Sequence, residues 1–98
     1  MPVKDTVTLK TRGESSIGFT ISKNVRKQLK LKFGDIVQIK IYHIIKGKNE
    51  GELENINFPA QIIKVSTTTM GVTVKKDIIS QFELEADDII GVEINIEK

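Results

Sequence analysis

Apolar residues alternate with small or polar ones at Ile17, Phe19 and Ile21, with Gly18 and Thr20 between them. Successive strand side chains point to opposite faces, so this is the pattern of a half-buried β-strand. Val25 and Leu29 then lie four apart, which places them on one face of a short helix. Ser22 precedes them as an N-cap, its hydroxyl able to accept a bond from a free backbone N–H. The helix is expected to end at Leu31-Lys32-Phe33-Gly34, with Gly34 in the left-handed conformation that terminates helices cheaply. Val37, Ile39 and Ile41 alternate with Gln38 and Lys40 and predict another strand. Upstream, Val7 and Leu9 open the unit.

The pattern occurs twice. A shift of 53 positions lays residues 18–41 over residues 71–94, and eight of the 24 pairs are identical, Gly18/Gly71, Asp35/Asp88 and Ile41/Ile94 among them. Other apolar positions exchange like for like: Ile21 with Val74, Val25 with Ile78, Leu29 with Phe82, Ile39 with Val92. Ungapped agreement of this kind marks an internal duplication. In the second copy Met70, Val72 and Val74 form the strand, and Ile63 and Val65 open the unit. Lys75 replaces the capping serine, which leaves Asp77 as the expected cap, and Asp87 replaces Gly34. Lys46 to Asn55 is polar, contains Gly47 and Gly51, and reads as a connecting loop.

Repeat 1 thus covers about 6–45, a linker about 46–58, and repeat 2 about 59–96. Neither unit alone buries enough apolar surface to offset its chain entropy, so the two are expected to share one core with an approximate two-fold axis. The expected fold is mainly β with two short helices, built from two fused strand–strand–helix–strand repeats. Short twisted strands in this number are expected to close into a small barrel of the swapped-hairpin or double-psi kind.

Charge divides the chain. Residues 1–50 carry eleven Lys/Arg against four Asp/Glu, and residues 51–98 carry four against nine. A basic half points to a polyanion or an acidic partner, or to attraction between the two halves. There is no cysteine, which excludes disulfides and thiolate chemistry. No apolar run approaches the roughly 20 residues of a membrane helix. The opening Met1-Pro2-Val3-Lys4-Asp5 lacks the apolar core of a secretory signal, so a cytoplasmic location without membrane contact is expected.

Arg12-Gly13-Glu14-Ser15, Ile17-Gly18-Phe19-Thr20-Ile21, Val25-Arg26-Lys27-Gln28-Leu29 and Leu31-Lys32-Phe33-Gly34-Asp35-Ile36-Val37 together resemble the AbrB/MazE/SpoVT family of swapped-hairpin DNA-binding domains. Ser22 stands where that family usually has proline. The second copy departs further, lacking the glycine of the Gly-Asp pair and the basic helix residues. Two copies in one chain are similar to the arrangement of the tandem MraZ proteins. The resemblance implies double-stranded DNA as partner and transcription regulation or nucleoid association as role. It implies Lys10, Arg12, Arg26 and Lys27 as DNA contacts, with Ser15, Ser16 and Lys23 as phosphate contacts.

The residues themselves fit that chemistry. Lys23, Lys27 and Lys30 recur at helical spacing with Arg26 beside them, on the face turned away from Val25 and Leu29. Cations there neutralise phosphates and release counterions. Opposite Arg26 and Lys27, however, stand Ile79 and Ser80, and opposite Lys30 and Lys32 stand Glu83 and Glu85. Either one half grips DNA, or a homodimer brings two basic halves together. The acidic second repeat also suits a protein partner, and the alternative reading is a protein-interaction barrel without nucleic-acid activity. Catalysis, cofactors and metals are not expected. His43 is the single histidine, Ser15 and Ser16 lack a base nearby in sequence, and no metal-ligand or phosphate-loop spacing occurs.

Overall fold

The computed structural model describes residues 2–12, 16–48 and 50–96, with the side chains of Arg12 and of residues 53–55 excepted. Its elements run β-β-β-α-β twice. The first half holds β1 (Val3–Thr8), β2 (Lys10–Arg12), β3 (Ser16–Thr20), α1 (Lys23–Leu29) and β4 (Ile36–Lys46). The second holds β5 (Gly51–Gln61), β6 (Ile63–Ser66), β7 (Thr69–Val74), α2 (Lys76–Gln81) and β8 (Ile89–Ile96). The 53-residue shift carries the first residues of β2, α1 and β4 onto those of β6, α2 and β8.

Two four-stranded antiparallel sheets result, ordered β1-β8-β4-β5 and β2-β3-β7-β6. Both orders are unchanged when the halves are exchanged. In the register, Lys40 faces Glu93 and Phe19 faces Val72, and each pair maps onto itself under the shift. An approximate two-fold axis therefore passes through the centre of both sheets. The first sheet alternates between halves, because β1 pairs with β8 and β5 with β4. Neither half could assemble its share of that sheet alone.

The core is common to both halves. Val37, Ile39, Ile41, Ile90, Val92 and Ile94 from the first sheet meet Phe19, Met70, Val72 and Val74 from the second, with Val25, Leu31 and Leu84 closing the ends. Each such fully buried side chain contributes about 1.5–3 kcal/mol. Among the described residues no polar side chain is buried with them.

The expected closed barrel is not formed; the strands make two separate sheets. The reason lies at the corners. The chain leaves β1 through Leu9, whose N–H donates to the Asp88 carbonyl and whose carbonyl accepts from the Asp87 N–H, both at 2.8 Å. Ile62 makes the matching pair with Asp35 and Gly34, also at 2.8 Å. Corner backbone groups are thus satisfied by the turns ahead of β8 and β4. β1 and β5 remain edges of one sheet, β2 and β6 edges of the other.

Local readings differ in three places. The segment read as a loop from Lys46 to Asn55 is mostly strand, since β4 runs to Lys46 and β5 starts at Gly51. Helix α1 stops at Leu29, and Lys30, at φ 53°, supplies the left-handed cap; Gly34, at φ 90°, belongs to the turn ahead of β4. In the second half the N-cap position is Lys75, without a side-chain bond, and Asp77 lies within the first turn. The Ser22 cap forms as expected, its hydroxyl accepting from Val25 N–H at 3.3 Å.

Candidate nucleic-acid interface

Helix α1 buries Val25 inward and turns its other faces outward. Lys23, Arg26, Lys27 and Lys30 consequently line one open depression of about 450 Å³, together with Leu31 and Thr68. Thr68 belongs to the β6–β7 turn, so the far wall comes from the other half of the chain. One Arg26 guanidinium N–H donates to the Thr68 carbonyl at 3.1 Å, which fixes the group at the rim. One of its five N–H donors is used there. The turn is itself braced by the Ser66 hydroxyl donating to Thr69 Oγ1 at 2.8 Å.

Of the other expected residues, Lys10 and Ser16 do not line this depression, and the Arg12 side chain lies outside what is described. Ser16 lies in the quasi-equivalent depression beside α2, with Ile17, Val74, Lys76, Ile79 and Ser80. There Ile79 and Ser80 occupy the places of Arg26 and Lys27. Lys10, on the edge strand β2, forms an ion pair with Asp87 at 2.9 Å. Its hydrogen bond and charge hold the Asp87 carboxyl below the usual carboxylate range. The Arg12 backbone pairs with Ser16 in the same hairpin. Ser15 lies outside the described residues.

Attraction between the halves accounts for part of the charge division. Lys10 meets Asp87, and Lys48 reaches Glu83 and Glu85, each at 3.7 Å. The two glutamates are the counterparts of Lys30 and Lys32, so the reversed charges of the second half are met by a lysine of the first. Among the described residues, no ion pair involves Lys23, Arg26, Lys27 or Lys30.

Lys30, read on the basic face with Lys23, Arg26 and Lys27, lines the depression from the left-handed C-cap of α1. One member of the site, Thr68, was missed by the residue pattern. Thr68 carries no local signal; only the two-fold register, which sets the start of β7 against the end of β3, brings its turn to α1. His43 lies half-buried at the bulge in β4, opposite Glu52 and Gly91. Among the described residues no cluster of His, Asp or Glu is placed to hold a metal. No helix there is long and apolar enough to cross a membrane. Comparison with family models, curated proteins and solved structures finds no match.

Proposed function

We propose that this chain is a non-enzymatic DNA-binding protein that grips the phosphate backbone through one lobe, made of α1 and the β6–β7 turn. One observation carries the reading. Four cations converge on a single depression and, among the described residues, are not consumed by the acids of the second half, whereas Lys10 and Lys48 are. Phosphates entering the depression would replace condensed counterions, whose release drives binding. Arg26, held by Thr68, presents a planar fork of donors that suits a phosphate or a guanine edge. The resemblance to swapped-hairpin DNA-binding domains supports the same surface, and a regulatory or nucleoid role in the cytoplasm follows from it.

The lobe is one-sided. Its counterpart presents Ile79 and Ser80, with Glu83 following, and Lys10 is held by Asp87. A gel-shift titration on duplex DNA at low salt tests the proposal. Non-specific affinities of such surfaces fall at about 10⁻⁴–10⁻⁶ M at physiological salt. Absence of any shift at roughly tens of micromolar protein in low salt would reject it.

A further inference from the structure

Five large hydrophobic side chains are exposed among the described residues: Phe33, Ile36, Ile45, Ile63 and Val65. Phe33, Ile36 and Ile63 border one corner, where β5 turns into β6, and Val65 lies two residues further along β6. Ile36 pairs with Gln61, the Gly34 N–H donates to the Ile62 carbonyl, and the Ile62 N–H donates to the Asp35 carbonyl. Phe33 therefore sits next to one partner of this clasp and Ile63 next to the other. Phe33 has 45% of its surface open.

The quasi-equivalent corner is different. Ala86 stands in place of Phe33, Lys10 in place of Ile63, Arg12 in place of Val65, and the Lys10–Asp87 ion pair crosses it. Edge strands are ordinarily protected by charge, as β2 is by Lys10. The exposed apolar corner and the cations without ion pairs among the described residues thus depart from the two-fold pattern together. They are also continuous along the chain. Lys30 lines the depression, Lys32 is exposed, and Phe33 follows. At 3.8 Å per residue, the Cα of Phe33 lies within about 11 Å of that of Lys30. That limit corresponds to no more than about three stacked nucleotides at roughly 3.4 Å each.

We infer that this lobe also accepts single-stranded nucleic acid, with phosphates in the depression of Lys23, Arg26, Lys27 and Lys30 and an unpaired base stacked on Phe33. The inference rests on the cationic lobe of the proposed function and adds a second substrate class to it. A duplex keeps its base faces stacked inside and cannot offer one to an exposed ring. An unpaired strand offers a π-face at every nucleotide, and a cationic groove with an aromatic platform is the surface that holds such strands. A protein partner fits less well, because lysines are depleted from the cores of protein interfaces, and Lys30 and Lys32 closely precede Phe33 in the chain.

Fluorescence anisotropy at low salt separates the contributions, using oligothymidylate, an abasic strand with the same number of phosphates, and duplex DNA. The wild-type chain should bind oligothymidylate about 5- to 30-fold more tightly than the abasic strand, the range expected for one stacked base at an open site. Phe33→Ala should abolish that margin and leave abasic and duplex binding unchanged. Phe33→Trp should preserve it. The chain has no tryptophan, so the new indole is the single one, and oligothymidylate should quench it while the abasic strand does not. Equal wild-type affinity for the two strands overturns the inference, as does a margin that survives Phe33→Ala. A protein partner would be indicated instead if Phe33→Ala changed only the sedimentation of the protein. Duplex and abasic binding without the margin leaves the cationic lobe standing and sinks the stacking alone; no binding of any strand sinks both.

Discussion

Salt dependence measures how many cations of the depression meet phosphate. Lys23, Arg26, Lys27 and Lys30 line it, and none is engaged in an ion pair among the described residues. If each neutralises one phosphate of duplex DNA, log K falls against log salt with a slope of about −3.6. Raising salt from roughly 50 to 200 mM then weakens binding by about 150-fold. Arg26→Ala removes one contact, so the slope should ease to about −2.7 and the same salt step should cost about 40-fold. Lys27→Ala should do the same, and the double variant should reach about −1.8. Ser80→Ala, at the exposed counterpart of Lys27, should leave the slope unchanged. Anisotropy of a labelled duplex across a salt series gives each slope directly. A wild-type slope shallower than about −2, or slopes of the Arg26 and Lys27 variants equal to wild type, would refute a four-cation lobe.

Other consequences concern the frame that holds the lobe. A Cβ at Gly18 would collide with the Val72 carbonyl oxygen beside the two-fold axis, where backbone cannot yield, so Gly18→Ala should destabilise by about 3 kcal/mol or more. At Gly91 the obstacle is the Tyr42 ring, 2.9 Å away, which can swing aside; Gly91→Ala should cost clearly less, and urea unfolding ranks the two. Ser22→Ala should cost about 1 kcal/mol of stability through the lost cap, whereas Lys75→Ala, where no side-chain bond exists, should not lose a cap term. Asp87 titrates below its ordinary range because Lys10 bonds it. Its contribution is therefore present above the unfolded carboxylate pKa and lost as pH falls through the lower folded value. The stability gap between wild type and Asp87→Asn should shrink on acidification through that window; a gap independent of pH would reject the linkage.

The sequence made the elements legible and left their closure hidden. The 53-residue shift located both helices and the strands around Phe19, Val72, Ile39 and Val92, because each is a local periodicity that a shared core forces to repeat. Whether β1 would bond across to the second sheet was not local. It depends on the Leu9 and Ile62 backbone groups being taken by Asp87, Asp88, Gly34 and Asp35, residues far away in sequence. The loop reading of Lys46 to Asn55 failed for a related reason. Polar residues of a strand at the sheet edge look like loop until the partner strand is known, and β4 pairs with β5 as far as Ile44 and Gly51. The basic helix face was readable, its far wall was not, since Thr68 arrives from the other half.

Divergence between the two halves follows the same boundary between inside and outside. Facing core positions exchange like for like, Ile39 with Val92 and Ile41 with Ile94, because all four lie in one shared core on either side of the axis, Ile39 opposite Ile94 and Ile41 opposite Val92. Exposed positions are free of that constraint, and there Lys27 corresponds to Ser80, Lys30 to Glu83, Phe33 to Ala86 and Ile63 to Lys10. A two-fold frame therefore carries a surface that is not two-fold. Among the described residues the α1 depression gathers four cations and its counterpart one, Lys76, so the internal axis does not place equivalent sets of cations on the two halves of a palindrome. On such a site, symmetric contact requires two chains, each offering its α1 lobe to one half-site. A single chain bound to a palindrome should instead protect one half-site from cleavage, and saturating protein should extend protection to the other half.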